Sequence, residues 1–313
     1  EMIRIGCVNI DISHPGTFAK KMEVMQRGKY VALYNDGFRT DEEVDAFIAE
    51  YRLEKRCRTI EELVEMVDIG FVHDCNWDKH LQHAMPFIKA GKPVFMDKPI
   101  CGNLRDCHEL ERLVNEGAKI LGSSSVRYAD EFEEIKKALS DNNEEIISVY
   151  GTAGVDEFNY GVHIMEGIQG LLGTGVYSVK YIGTAAKAEA PVEHYCVTWK
   201  NGIKVIYQLQ TGVWQPFDVV VTTNKARGIH SFRVDTTQIY DAVLKRIFDY
   251  MEKGVEMASI GDLTETIKIY LAGKASREHG GKEIKLDDLR LDDKGYDGYA
   301  FEEQYALAAR RNK

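Results

Sequence analysis

IRIGCVNIDISHPGTF, residues 3–18, decides how this chain begins to fold. Ile3 to Ile10 is a short apolar run with the length of a buried strand. A helix starts near Pro15, a residue suited to the first helical turn, with Ser13 available as its cap. Strand, tight turn, helix is the opening of a nucleotide-binding unit, in which glycines normally occupy the turn. Here Asn9, Asp11 and His14 stand at the three glycine positions. Asn and Asp tolerate left-handed backbone better than other residues. Asp11, however, repels a pyrophosphate by about 1 kcal/mol in solvent and by more when shielded. His14 is read either as a phosphate donor or, by preference, as a solvent-facing loop residue.

The pattern continues outward from this turn. Strand-like runs at 30–34, 69–73, 93–96 and 120–122 alternate with helix-like runs at 15–27, 40–51, 59–66, 79–90 and 104–116. Such alternation predicts a doubly wound parallel sheet, an α/β domain over residues 1–123. From about residue 145, runs rich in β-branched and aromatic residues follow one another, and Asn201-Gly202 marks a hairpin. Two helices follow, over 236–253 and 260–279. Residues 124–313 therefore read as an α+β domain on an open, mainly antiparallel sheet.

The chain has 313 residues, 44% hydrophobic and 29% charged, with net charge −10. It is long enough for two domains, and its acidity argues against nucleic acid and anionic membrane as partners. The first apolar run is too short for a signal peptide, and no run approaches a membrane span, so a cytoplasmic protein is expected. Six cysteines without a C-x-x-C pair are read as reduced, mostly buried thiols, and no metal site is expected. Cys75 and Cys101 lie near the expected site, but as buried thiols rather than nucleophiles.

In a doubly wound sheet, ligands bind beyond the carboxyl ends of the strands. That rule selects Asn9 to His14, Asn35-Asp36, HDCNWDKH (73–80) and MDKPI (96–100). Pro99 holds Asp97-Lys98 out of helical geometry. A lysine facing a buried crevice loses its charge readily and can carry a proton; a surface lysine paired with Asp97 is the plainer alternative. In NYGVHIMEGIQGLLG (159–173), a helix begun at Asn159 puts Asn159, His163 and Glu166 on one face. His163 can take or give a proton near neutrality, or be a hydrogen-bonded interface residue.

These two stretches together resemble the glucose–fructose oxidoreductase / inositol dehydrogenase (Gfo/Idh/MocA) family. The resemblance runs through HDCNWDKHLQHAMPFIKAGKPVFMDKPI, SVRYADEFEEIKKAL and the stretch from Ala258 to about residue 286. It implies hydride transfer between NAD or NADP and a hydroxyl carbon of a sugar or polyol. Lys98, His163 and Asn159 would be catalytic. The cofactor would meet Asn9, Asp11, Ser13, His14, Asp36, Asn76, His80, Asp97 and Lys98. The acidic residue that takes the ribose hydroxyls falls on Asn35 or Asp36, with Asp36 favoured, and Arg39 is available to a 2′-phosphate. A homodimer or homotetramer is implied as well. Arg127, Tyr128, Tyr160 and Trp214 are candidate substrate contacts, although core packing accounts for each equally well. Asn159 stands where the family has aspartate, and the turn lacks its glycines. The alternative is therefore a protein that keeps the fold for carbohydrate binding, or for lyase- or epimerase-type proton chemistry with His163.

Overall fold

The structure is a computed structural model and describes residues 1–312. The first sheet contains β1 (Ile3–Val8), β2 (Gly28–Tyr34), β3 (Lys55–Arg56), β4 (Ile69–Val72), β5 (Val94–Asp97) and β6 (Ile120–Ser123). Its order is β3-β2-β1-β4-β5-β6 and every pairing is parallel. Between the strands run α1 (His14–Met25), α2 (Asp41–Tyr51), α3 (Ile60–Met66), α4 (His80–Lys89) and α5 (Leu104–Asn115). The strand order reverses between β1 and β4, so the binding crevice opens beyond their carboxyl ends. β4, β5 and β6 are buried along their whole length, as expected of strands covered on both faces. Thr40 and Glu43 form a capping box that fixes the start of α2. Ser13, expected to cap α1, makes no side-chain cap bond.

The second part contains α6 (Asp130–Asp141), β7 (Ile146–Val155), α7 (Val162–Leu172), β8 (Val176–Ala185), β9 (Val192–Trp199), β10 (Lys204–Thr211), β11 (Asp218–Thr223) and β12 (Ile229–Arg233). It continues with α8 (Ile239–Lys253), α9 (Ile260–Glu278), β13 (Ile284–Lys285) and α10 (Gly298–Arg311). Its seven strands are ordered β12-β11-β7-β10-β9-β8-β13. The pairings are antiparallel except β7 with β10, so the sheet is mixed and mainly antiparallel. The Asn201-Gly202 hairpin joins β9 to β10, with Gly202 at φ +92°. α7 and α9 cover one face. The other face exposes Ile182, Ile206 and Ile229. No helix among the described residues is long and apolar enough to cross a membrane.

Two late helices return to the first sheet. Val243, Leu244, Ile247 and Phe248 of α8 join the core cluster of Ile3, Ile5 and Phe71. Gly28 makes room for this docking, since a Cβ there would lie 2.7 Å from the Phe248 ring. α10 reaches back through Trp77, whose Nε1 donates to Tyr296 O at 2.8 Å, and through Asp78, which accepts from Gly298 N at 2.8 Å.

Candidate active site

The site is built first from the end of β5. Asp97 is buried, and its carboxylate accepts from Nδ1 of both His14 and His73 at 2.8 Å. His73 Nε2 meets Tyr30 Oη at 2.7 Å. Burial alone would raise the Asp97 carboxyl, but the two imidazoles hold it well below the usual carboxylate range. His14 is thus 8% exposed and stacked on Phe18, not facing solvent as the sequence reading preferred. It sits on the first turn of α1 with its ring directed into the sheet.

Lys98 follows, with its ammonium enclosed. Nζ donates to Asn159 O at 2.8 Å and to Asn159 Oδ1 at 3.3 Å, and lies 5.8 Å from the Tyr160 ring centre. Burial lowers its pKa, while Asp97 and Asp156 oppose that. α7 begins at Val162, so Asn159 precedes the helix instead of opening it. Asp156 explains why: its Oδ1 accepts from Phe158 N and Tyr160 N at 3.0 Å each, holding residues 156–160 in a turn. Asn159 therefore presents both its carbonyl and its side-chain oxygen to Lys98.

His163 lies on the first turn of α7, packed edge-on against Tyr160 and Phe217 at 5.1 and 5.5 Å between ring centres. Its Nδ1 is 2.6 Å from Ser124 Oγ. Burial and the nearby charges of Lys98 and His14 hold it well below the usual imidazole range, so it is neutral at pH 7. A neutral imidazole beside an enclosed lysine can handle a proton. Trp214 is 56% exposed, with Nε1 donating to Tyr160 Oη at 3.0 Å. The structure therefore gathers Lys98, Asn159, Tyr160, His163 and Trp214 in one place.

Arg127 and Tyr128 are directed elsewhere. Arg127 Nε pairs with Glu166, while Nη1 donates to Gln169 Oε1 at 2.7 Å and Nη2 to Thr266 Oγ1 at 3.2 Å. Tyr128 Oη donates to Gly122 O. Both side chains are buried with their polar ends used, which favours the core alternative over substrate contact. Glu166 likewise serves Arg127 and not His163. Sequence reasoning missed Ser124 and Asp156; His73 fell within the selected stretch 73–80 but received no role. Only Asp156, three residues before Asn159, carried a local sign, as a turn-forming residue ahead of a helix.

The nucleotide turn is shaped for its backbone but filled by its side chains. Asn9 adopts φ +63°, the left-handed conformation a glycine would supply. Its Nδ2 donates to Asp36 Oδ1 at 2.9 Å and to Asp74, and its Oδ1 accepts from Asp36 N at 2.9 Å. His83 bridges Asp36 and Asp74 at 2.8 Å each. Burial opposes these charges, yet the bridge raises His83 to about 9 and, with Asn9, lowers Asp36 to about 2. His80 has both ring nitrogens against carbonyl oxygens, of Asp74 at 2.8 Å and Ile100 at 3.2 Å. Asn76 donates to Glu302 Oε2 at 2.9 Å and accepts from Asp78 N at 3.0 Å.

Asp11 decides whether a dinucleotide fits. It is 1% exposed; Oδ2 accepts from Cys75 N at 3.1 Å and Oδ1 has no partner. A Cβ on Gly37 would fall 1.9 Å from Oδ1, so the Asp11 carboxylate fills the gap between the β1 turn and the loop after β2. Burial beside Asp74 pushes it up to about 7. Arg39 donates to Asp11 O at 2.7 Å, and Tyr305 of α10 packs on Phe38. The Asp11 carboxylate thus lies beside the turn after β1 together with Asp74 and Glu302. In this arrangement the residues do not fit a dinucleotide in the usual pose, because anion meets anion in a shielded crevice.

Residues 6–125 match the model of the oxidoreductase family with NAD-binding Rossmann fold, Gfo/Idh/MocA. No curated protein matches the sequence. Among solved structures, the fold is similar to myo-inositol dehydrogenase from Lactobacillus casei in complex with NAD(H) and myo-inositol. That match has 13% identity and a TM-score of 0.76, covering 91% of this chain and 97% of that one. It is also similar to scyllo-inositol dehydrogenase from Lactobacillus casei with bound NAD(H) and scyllo-inositol, at 14% identity and a TM-score of 0.75, covering 92% and 100%. Over residues 6–125 the chain is thus similar to the Gfo/Idh/MocA oxidoreductase family, and over nearly its whole length it shares the fold of these structures.

Proposed function

We propose that this chain acts on a sugar or polyol, with Lys98 and His163 moving the proton of the reacting hydroxyl in the oxidoreductase chemistry of its family. The observation that carries the reading is the seating of Lys98. Its ammonium is enclosed, bound to Asn159 O at 2.8 Å, and shares Tyr160 with His163. His163, neutral and anchored at Nδ1 by Ser124, is the acceptor for a hydroxyl proton. Lys98 orients the same oxygen, and Asn159 holds Lys98 in place. Tyr160 and Trp214 offer the flat apolar surface and the hydrogen-bonding edge that a sugar ring needs. NAD is the hydride carrier the family implies, and Arg39 leaves NADP open. The buried Asp11 carboxylate fills the gap between the β1 turn and Gly37, which disfavours a pyrophosphate in the usual pose.

The filled crevice favours a second reading, in which the same pair performs epimerase- or lyase-type proton chemistry without hydride transfer. A panel of sugars and inositols, run in D2O with NAD, with NADP and with neither, separates the two. Reduced nicotinamide appearing with a polyol supports oxidoreduction. Deuterium entering substrate carbon without cofactor supports the second reading, and neither signal with any compound overturns both. The exposed isoleucines on the open sheet support a homodimer or homotetramer through that face.

A further inference from the structure

We propose that Asp11, Cys75 and Glu302 form a binding site for one divalent cation, Zn2+ being the best match, which ties α10 to the turn after β1. One ligand atom from each residue lies within 4.8 Å of the others. The three come from the β1 turn, the loop after β4 and the second turn of α10, so no local motif brings them together. A thiolate with two carboxylates is a donor set that Zn2+ accepts in tetrahedral geometry, with room for a fourth ligand.

A cluster of acids is not by itself a site, and a second observation points to a ligand here. Asp11 Oδ1 is buried and has no hydrogen-bond partner. Leaving a buried carboxylate oxygen unpaired is costly, and a cation between Asp11, Cys75 and Glu302 would satisfy it. The neighbouring cluster of Asp36, Asp74 and His83 makes the contrast. There His83 lies 2.8 Å from each carboxylate and already supplies the positive charge. Around Asp11, Arg39 donates to the backbone oxygen at 2.7 Å and Lys79 lies 3.6 Å from Glu302 Oε1, and among the described residues neither forms an ion pair with the Asp11 carboxylate. Asn76 holds the other oxygen of Glu302 at 2.9 Å, orienting it as outer partners of metal ligands do. This inference does not depend on the reaction proposed above.

The full chain, stripped with chelator and dialysed, is titrated with Zn2+ by calorimetry, and with Co2+ while absorbance is followed. The expected result is one Zn2+ per chain and a thiolate-to-cobalt charge-transfer band. Cys75→Ser should abolish that band. Cys75→Ser, Asp11→Asn and Glu302→Gln should each weaken Zn2+ binding by about a hundredfold, while His83→Gln leaves it within a few-fold. Circular dichroism of each metal-free variant checks the fold. Glu302→Gln, at a partly exposed position, keeps the test valid if a buried variant fails to fold. Absence of stoichiometric Zn2+, a cobalt spectrum without the thiolate band, or affinity that falls in His83→Gln and not in Glu302→Gln overturns the proposal.

Discussion

Glu166→Gln separates a structural arginine from a substrate-binding one. Arg127 and Glu166 are both buried, and the guanidinium has Glu166, Gln169 and Thr266 around it. Removing one partner of a buried ion pair costs about 3–5 kcal/mol, because the other charge is left uncompensated. The Gln169 and Thr266 contacts remain and a glutamine oxygen can still accept one bond, so the expected loss is near about 3 kcal/mol. At about 2–4 °C per kcal/mol for chains of this order, the apparent melting midpoint should fall by about 6–12 °C. Differential scanning calorimetry measures this directly. Pairing the change as Arg127→Met with Glu166→Leu should recover much of the loss, because two apolar side chains of similar volume leave no buried charge. At a temperature where both variants are folded, kcat/KM should stay within a few-fold of wild type. A Glu166→Gln variant with wild-type stability and lost turnover would refute the reasoning and return Arg127 to the substrate site.

Other outcomes follow from the same structure. The pKa of His83 is raised to about 9, so its contribution is complete below the ordinary value of about 6.5 and is lost as pH rises through 9. That gap corresponds to about 3 kcal/mol; His83→Gln should therefore be much less stable than wild type at pH 6 and nearly equal to it at pH 10 in urea unfolding. NADH fluorescence titrations should show weak or no binding to wild type and clear binding to Asp11→Gly, which opens the pyrophosphate position. Equal affinity in both proteins would remove Asp11 as the obstacle. The kcat/KM profile should have its acidic limb well below pH 6.5, because His163 is held neutral, and its alkaline limb below the ordinary lysine value of about 10.4.

The first sheet was legible because its signals are local. Apolar runs, caps and breakers put β1, β2, β4, β5 and β6 and the five helices between them within about two residues of their observed ends. The two-residue β3 was missed, since Lys55-Arg56 is polar and makes a strand only by pairing with β2. The places of Lys98 after a strand and of His163 on the first turn of a helix were legible in the sequence. The surroundings of the turn were not. Asp11 meets Cys75 across 64 residues and lies near Glu302 on the last helix; His14 finds Asp97 across 83. No periodicity encodes such pairs. His14, read as a solvent-facing loop residue, is buried where Tyr240 of α8 packs against it, a contact that only the tertiary structure contains.

The central claim is that Lys98 and His163 handle the proton of the reacting hydroxyl. The most direct test is the turnover of Lys98→Met on whichever sugar or polyol the wild type converts, with melting midpoints matched. Loss of a positioned proton-transfer group lowers kcat by about 10²–10⁴-fold. The account predicts a fall in that range with an unchanged midpoint; wild-type turnover in Lys98→Met would contradict it.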